Sequence, residues 1–135
     1  MITALDSNVL LDVLSGGEFG PASREAIREA RREGSLMACE LVWAEVAARY
    51  RTIDAAEESL RELDIRFAAI DPEVAVAAGH VWMGYRRGGG GRERMVADFL
   101  IGTHAWMRAD RFVTRDRGFY RTYFKRLRIV DPSQG

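Results

Sequence analysis

The stretch TALDSNVLLDVL (residues 3–14) joins a short apolar strand to an amphipathic helix, and it indicates the fold of the chain. Its first three residues predict a buried strand, and its later apolar residues recur at helical spacing: Val9, Leu10, Val13 and Leu14. Asp6 stands where the strand ends and the helix begins. Aspartate is a favourable helix N-cap, so capping alone would explain its position. A role in a functional site is the alternative, and the positions of the other isolated acids bear on the choice.

Length and composition predict one globular domain over residues 1–135. The chain is 47% hydrophobic and 30% charged, which is usual for a soluble protein. It has no apolar run near the roughly 18–20 residues that a membrane helix requires, and its N-terminus lacks the features of a signal peptide. Cys39 is its single cysteine, so no internal disulfide is expected. We therefore expect a cytoplasmic protein that does not associate with a membrane.

Short apolar segments alternate with helical ones along the chain. Strands are predicted at residues 2–6, 35–38, 65–70, 111–114 and 127–130. Helices are predicted at residues 7–14, 21–33, 40–51, 53–63, 72–87, 92–109 and 118–124. Because this alternation is typical of an α/β fold, we expect a single domain with a short-stranded parallel sheet flanked by helices on both faces.

Two acids fall at the ends of predicted strands. Asp6 ends the first strand, and Asp116 lies two residues after the strand at 111–114. In open parallel sheets, ligands bind beyond the carboxyl ends of the strands. Both acids are therefore expected at the edge of the sheet that carries the chemistry.

Two further acids occupy apolar surroundings in predicted helices. Glu45 has Leu41 and Ala48 on its side of one helix, at i−4 and i+3. Asp98 has apolar neighbours at i−3, i+3 and i+4: Met95, Ile101 and Gly102. An acid in an apolar stripe is costly to bury unless it is paired or binds a metal. A buried salt bridge to an arginine is the alternative explanation for each.

The four acids together predict a metal site. Asp6, Glu45, Asp98 and Asp116 come from four different elements. Carboxylates brought close together repel one another and raise each other's pKa values, and a divalent cation removes that conflict. Oxygen ligands without a nearby Cys or His favour Mg²⁺ or Mn²⁺ over Zn²⁺.

Local basic segments predict contacts to a phosphate backbone, although the net charge is zero. Residues 115–128 contain six basic residues against one acid. Further arginines precede the glycine run at residues 88–91. The candidates for such contacts are Arg115, Arg117, Arg121, Arg86 and Arg87. A solvated, arginine-rich surface is the alternative.

The histidines and the cysteine are expected to be structural. His104 lies about 240° around the helix from Asp98 and so does not share its face. His80 stands among small and apolar residues and is expected to pack in the core. Cys39 is expected to be a small buried side chain.

Five segments carry a resemblance to a known family: ALDSNVLLDVL (4–14), ACELVWAEVAARY (38–50), VADFLIGTHAW (96–106), FVTRDRGFYRTYF (112–124) and LRIVDP (127–132). In this order and at these spacings, the chain resembles PIN domains and, among them, VapC-type toxin ribonucleases. The resemblance implies that Asp6, Glu45, Asp98 and Asp116 are the acidic metal-site positions. It also implies that Asn8 and Thr114 flank the site.

The resemblance further implies an activity and partners. The activity is metal-assisted phosphodiester hydrolysis by an endoribonuclease, with one or two Mg²⁺ or Mn²⁺ ions bound by the carboxylates. The partners are an RNA substrate, a cognate antitoxin whose tail fills the active-site groove, and a second copy of the chain in a homodimer.

Two other functions stay open from the residues. One is a phosphatase-like enzyme with Asp6 as a covalent nucleophile, which usually needs a second aspartate where this chain has Asn8. The other is a non-catalytic module of the same fold that binds RNA or protein.

Overall fold

The computed structural model describes residues 1–91 and 96–134. Within them the strands are β1 (Ile2–Leu5), β2 (Ser35–Ala38), β3 (Arg66–Phe67), β4 (Arg111–Val113) and β5 (Ile129–Val130). The helices are α1 (Ser7–Ser15), α2 (Gly20–Glu33), α3 (Glu40–Ala47), α4 (Ile53–Glu62), α5 (Pro72–Arg87), α6 (Val96–Arg108) and α7 (Arg117–Tyr123). A short 3₁₀ turn, Pro132–Gln134, follows β5.

The strands form one parallel sheet in the order β3-β2-β1-β4-β5. The central strand β1 pairs with β2 on one side and with β4 on the other, where Leu5 lies opposite Val113. Consecutive residues of β1, Thr3 to Leu5, are all buried. Since successive side chains point to opposite faces of a strand, both faces of the sheet are covered. The predicted α/β fold with a parallel sheet is confirmed.

The ends of several elements differ from the prediction. Helix α3 ends at Ala47 instead of residue 51, because a new N-cap follows closely: the Thr52 hydroxyl accepts a hydrogen bond from Ala55 N at 3.1 Å and starts α4. Strand β3 has two residues because it pairs only with the end of β2. The predicted helix start at residues 92–95 lies outside the described residues.

An aromatic cluster attaches α7 to α6 and so positions the end of β4. Phe99 on α6 is fully buried, and its ring centroid lies 5.2 Å from that of Phe119 on α7. Gly102 of α6 makes room for Phe124, the residue after α7: a Cβ at that position would lie 2.5 Å from Phe124 Cε2. These aromatic contacts bring Asp98 and Asp116 to the same part of the molecule.

In the part of the chain that the structure describes, none of the helices has the length and apolar character needed to cross a membrane.

Candidate active site at the carboxyl edge of the sheet

Asp6 lies at the carboxyl end of β1 and is only 6% exposed. Its backbone N–H donates to Val113 O of β4 at 3.0 Å, which extends the sheet pairing by one residue. One carboxylate oxygen, Oδ1, accepts from Ser7 N at 2.8 Å and caps α1. The other, Oδ2, accepts from the Thr114 hydroxyl at 2.8 Å and from Asn8 Nδ2 at 3.4 Å. Capping therefore uses one oxygen and leaves the other directed toward β4.

In the part of the chain that the structure describes, the charges nearest Asp6 oppose its ionisation. The pKa of Asp6 is raised from 3.8 to about 6, chiefly by burial and to a smaller extent by the charges of Glu45 and Asp116, against hydrogen bonds from Thr114 and Ser7 that lower it. Asp6 forms no ion pair with any residue in the ranges 1–91 and 96–134. A buried carboxylate of this kind is stabilised by a proton or by a metal ion.

Thr114 links the ends of β1 and β4. Its hydroxyl is fully buried, donates to Asp6 Oδ2, and accepts from Asp116 N at 3.0 Å and from Asn8 Nδ2 at 3.3 Å. The Asn8 side-chain oxygen, Oδ1, accepts from Arg115 N at 3.2 Å. The two predicted flanking residues, Asn8 and Thr114, thus lie between the acids and orient them.

The other three acids surround the same edge. Asp116 is half-buried before α7, and its charge acts on Asp6. Asp98 is half-buried in the first turn of α6, next to the buried residues Ile101 and Gly102, as its spacing predicted. The pKa of Glu45 is raised by partial burial and then by the charge of Asp98.

The prediction that Glu45 lies in a buried apolar stripe is wrong. Glu45 and Ala48 are exposed and Leu41 is half-buried. The helix ends at Ala47, so the face that carries Glu45 is not covered by a further turn. A buried stripe therefore does not explain Glu45, whose side chain is only partly desolvated, but its negative charge acts on Asp6.

Tyr120, which was not among the predicted site residues, is a buried side chain close enough to the acids for their charges to act on it. It is 2% exposed on α7, and burial raises the pKa of its hydroxyl above the usual range. The charges of all four acids raise it further: Asp6, Asp98, Asp116 and Glu45. Its position one turn after Asp116 was the only available sequence signal. One buried hydroxyl that responds to all four charges shows that the four acids share one region.

The donor chemistry of this region fits a hard divalent cation. All of its candidate ligands are carboxylate oxygens, and the buried charge of Asp6 lacks a cationic partner in the described chain. Within residues 1–91 and 96–134, no three Asp, Glu, His or Cys side chains already lie at metal-ligand spacing. The fit is therefore one of charge and ligand type.

The remaining sequence candidates are structural or exposed. His104 is 2% exposed, burial lowers its pKa, and its Nε2 has no hydrogen-bond partner among the described residues. Cys39 is buried, as expected, and burial raises the pKa of its thiol. The expectation that His80 packs in the core is wrong, because it lies on the exposed face of α5.

The five candidate RNA-binding arginines lie in three different environments. Arg115 forms a bidentate ion pair with Asp12, at 2.7 and 2.9 Å, and its guanidinium lies 4.4 Å from the ring centroid of Phe19. Arg117 and Arg121 line a groove of about 510 Å³ beside β5. The other two, Arg86 and Arg87, are exposed at the end of α5.

Asp12 is a second residue that the sequence argument missed. It is 8% exposed on α1, and besides Arg115 it accepts a hydrogen bond from the Ser23 hydroxyl of α2 at 2.8 Å. An acid among the apolar residues 9–14 was the available signal. Asp12 thus connects α1 and α2 to Arg115, which stands between Thr114 and Asp116. These contacts help to hold the β4–α7 connection in place.

Comparison with known proteins identifies a family for this chain. Residues 3–125 match the PIN domain. VapBC-1 from nontypeable Haemophilus influenzae is similar in structure, with a TM-score of 0.78, 15% identity, and coverage of 98% of this chain and 99% of that chain. VapBC2 from Rickettsia felis, bound to a promoter DNA fragment, has a TM-score of 0.76 and 14% identity, and the match covers 97% of this chain and 98% of that chain. A toxin–antitoxin complex from Klebsiella pneumoniae has a TM-score of 0.73 and 17% identity, and the match covers 96% of this chain and 97% of that chain.

These structural likenesses, at low sequence identity, establish the fold alone. No curated protein matches the chain. The family match, by contrast, is made on the sequence and includes the segments that carry Asp6, Glu45, Asp98 and Asp116. Because it extends over residues 3–125 of 135, the chain belongs to the PIN domain family.

Proposed function

We propose that this chain is a metal-dependent endoribonuclease, the VapC-type toxin of a type II toxin–antitoxin pair. The observation that carries the proposal is the buried carboxylate of Asp6 at the carboxyl edge of the sheet, near the charges of Glu45 and Asp116 and without a cationic partner in the described chain. The PIN domain match and the solved complexes of similar fold support the nuclease and toxin assignment.

In this proposal Asp6, Asp98 and Asp116 hold Mg²⁺ or Mn²⁺, and Glu45 orients a water molecule. A metal ion held by these residues would supply a lower pKa for that water and positive charge opposite the phosphate. Thr114 holds the Asp6 carboxylate and the Asp116 backbone at fixed positions, which reduces the reorganisation needed during the reaction. Because His104 is buried on another face of α6, the proposal uses no histidine as a general base.

The partners belong to the same proposal. The cognate antitoxin is proposed because one structure of similar fold is a toxin–antitoxin complex and others are VapBC assemblies. RNA is the proposed substrate, and a homodimer is the proposed assembly. Arg117 and Arg121 are the best placed of the predicted RNA contacts, since Arg115 is already paired with Asp12.

Cleavage of a labelled cellular RNA pool by the purified chain tests the proposal. Discrete cuts are expected with Mg²⁺ or Mn²⁺ and none with EDTA. The variants Asp6→Asn, Asp98→Asn and Asp116→Asn should each abolish cleavage while the protein stays folded. Asp54→Asn, an exposed acid in the first turn of α4, is the matched control and should cut normally.

Two outcomes would contradict the proposal. Full activity in any one of the three site variants would remove that residue from the metal site. A folded, antitoxin-free protein that cuts nothing with either metal would favour the non-catalytic binding module instead.

A further inference from the structure

The connection between β4 and α7, residues 114–116, ends in one of the proposed metal ligands. The backbone of Asp116 is held on both sides: its N–H donates to the Thr114 hydroxyl at 3.0 Å, and its carbonyl accepts from Tyr120 N at 3.4 Å. The rotamers open to a side chain depend on its backbone conformation. Contacts that fix this connection therefore also fix the direction of the Asp116 carboxylate.

Arg115, the middle residue of the connection, is bound through its backbone and through its side chain. Its backbone N–H donates to Asn8 Oδ1 at 3.2 Å. Its guanidinium donates to Asp12 through Nε at 2.7 Å and through Nη2 at 2.9 Å, and the guanidinium carbon lies 4.4 Å from the ring centroid of Phe19. Because Asp12 belongs to α1 and Phe19 directly precedes α2, the side chain is anchored on the corner between these two helices.

The Asp12 carboxylate is itself fixed in place. It accepts a second hydrogen bond, at 2.8 Å, from the hydroxyl of Ser23, which is fully buried on α2. The carboxylate is 10% exposed and the Arg115 side chain 28% exposed, so neither partner has much freedom to turn. A bidentate pair of this kind sets orientation as well as distance. The α1–α2 corner, formed by Asp12, Phe19 and Ser23, is therefore a rigid support for Arg115.

The charge of Arg115 does not by itself favour a metal site. A positive charge one residue from a proposed ligand opposes the binding of a divalent cation. Here Asp12 offsets that charge through the ion pair. Because the pair is neutral as a whole, its main effect on the neighbouring Asp116 is on geometry.

We propose that Arg115, anchored on Asp12, is a positioning residue that fixes the Asp116 carboxylate for a divalent cation, so that the α1–α2 corner contributes to the metal affinity of the site. The inference rests on the proposed metal-dependent function. It gives the ion pair a role beyond stability, since neither of its residues is a proposed ligand.

The test is the affinity of the full chain for Mn²⁺, measured by isothermal titration calorimetry at neutral pH without RNA. Arg115→Ala should bind Mn²⁺ roughly 10-fold more weakly, because losing a residue that orients a metal ligand has an effect of this size. Charge alone predicts the opposite sign, since removing the cation leaves the Asp12 carboxylate to attract Mn²⁺. The direction of the change therefore separates positioning from electrostatics.

Two further variants separate the geometry of the pair from its charge. Arg115→Lys keeps the positive charge but cannot form the two parallel hydrogen bonds to Asp12, so it should also bind Mn²⁺ more weakly than the unsubstituted protein. The double variant Asp12→Asn, Arg115→Ala has the net charge of the unsubstituted protein and lacks the anchor. It should bind Mn²⁺ about as weakly as Arg115→Ala alone.

The matched control is Arg111, at the opposite end of β4. Its guanidinium donates to the Thr3 hydroxyl at 2.7 Å and to Glu33 of α2 at 3.0 Å, so it is also a buried arginine that connects β4 to α2. Arg111→Ala should destabilise the protein and leave the Mn²⁺ affinity of the folded state unchanged. Arg108→Ala, which removes an exposed ion pair with Asp71, is a milder second control. Urea unfolding in EDTA shows which variants are folded.

Two results would overturn the inference. One is unchanged or tighter Mn²⁺ binding in Arg115→Ala. The other is an equal loss of affinity in Arg111→Ala and Arg108→Ala, because Arg115 would then act through general stability.

The inference and the proposed function fail in different ways. If Asp116→Asn weakens Mn²⁺ binding while Arg115→Ala does not, the metal site stands and the positioning role is lost. If the unsubstituted protein does not bind Mn²⁺, or if Asp116→Asn binds it normally, the proposed metal site itself is contradicted and the positioning role is lost with it.

Discussion

Replacing Asp6 by asparagine should stabilise the folded protein at neutral pH. The Asp6 carboxylate is buried, and its pKa is raised from 3.8 to about 6 by burial and then by the charges of Glu45 and Asp116. Asparagine has nearly the same shape and no charge. Its carbonyl oxygen can still accept the hydrogen bond from Ser7 N, while the Thr114 hydroxyl has to change its partner.

The size and sign of the effect follow from the pKa difference between the folded and unfolded states. Since the folded pKa is the higher one, the folded state binds the proton more tightly. Its contribution to stability is complete below about pH 3.8 and is lost as the pH rises through about 6. This difference corresponds to about 3 kcal/mol in the free energy of unfolding. The rearranged Thr114 hydrogen bond costs about 1 kcal/mol, so a net gain of about 2 kcal/mol is expected at neutral pH.

Urea unfolding in EDTA at a series of pH values measures this prediction. The stability difference between Asp6→Asn and the unsubstituted protein should grow by about 2 kcal/mol between about pH 4 and about pH 7. Asp54→Asn, which changes an exposed acid, should show no such trend. Parallel pH profiles for Asp6→Asn and the unsubstituted protein would refute the electrostatic account of the site.

The same assay with added Mn²⁺ tests whether Asp6 binds a metal ion, as distinct from the effect of its buried charge on stability. A ligand that binds only the folded state raises the free energy of unfolding in proportion to the logarithm of its concentration relative to its Kd. Mn²⁺ should therefore stabilise the unsubstituted protein at neutral pH and stabilise Asp6→Asn much less. Equal stabilisation of both would show that Asp6 does not hold the metal.

Other predictions concern the packing around the site. Arg115→Ala should lower the free energy of unfolding by about 2 kcal/mol, because it leaves the buried Asp12 carboxylate without its cation. Adding Asp12→Asn to this variant should lower the free energy of unfolding by little more. If urea unfolding showed that the losses of the two single variants add fully in the double variant, the pairing would be contradicted. Gly102→Ala should cost about 1–3 kcal/mol, because the new methyl group would overlap the Phe124 ring. At Gly84 on α5 an added methyl group would meet open space, so Gly84→Ala should raise the free energy of unfolding by up to about 1 kcal/mol. Thermal unfolding compares the Gly102→Ala and Gly84→Ala variants, and equal effects would argue against the contact between Gly102 and Phe124.

Much of the fold could be predicted from local patterns. The strand at Ser35–Ala38 has the predicted bounds, because a short apolar run stands between Gly34 and a following helix. The start of α5 was also predicted, since Asp71 caps it through a hydrogen bond from Val74 N at 3.0 Å and Pro72 occupies the first turn. Caps and turns depend on residues a few positions apart, and the sequence displays these directly.

The length of the edge strand β3 could not be predicted in the same way. The alternation of residues 65–70 predicted six strand residues, but two are observed, Arg66 and Phe67. They pair with Met37 and Ala38 at the end of β2, and the neighbouring strand offers no more partners in that direction. The length of a strand depends on its partner as well as on its own side chains.

For the site, the sequence by itself placed Asp6 and Asp116 at one edge, because the carboxyl ends of parallel strands lie together. Only the tertiary structure decided that Glu45 is exposed, that Tyr120 is buried near the acids, and that Arg115 pairs with Asp12, 103 positions away. Burial and ion pairing depend on which distant segments fold against each other. Those contacts arise from the packing of whole helices, and no short pattern of residues determines them.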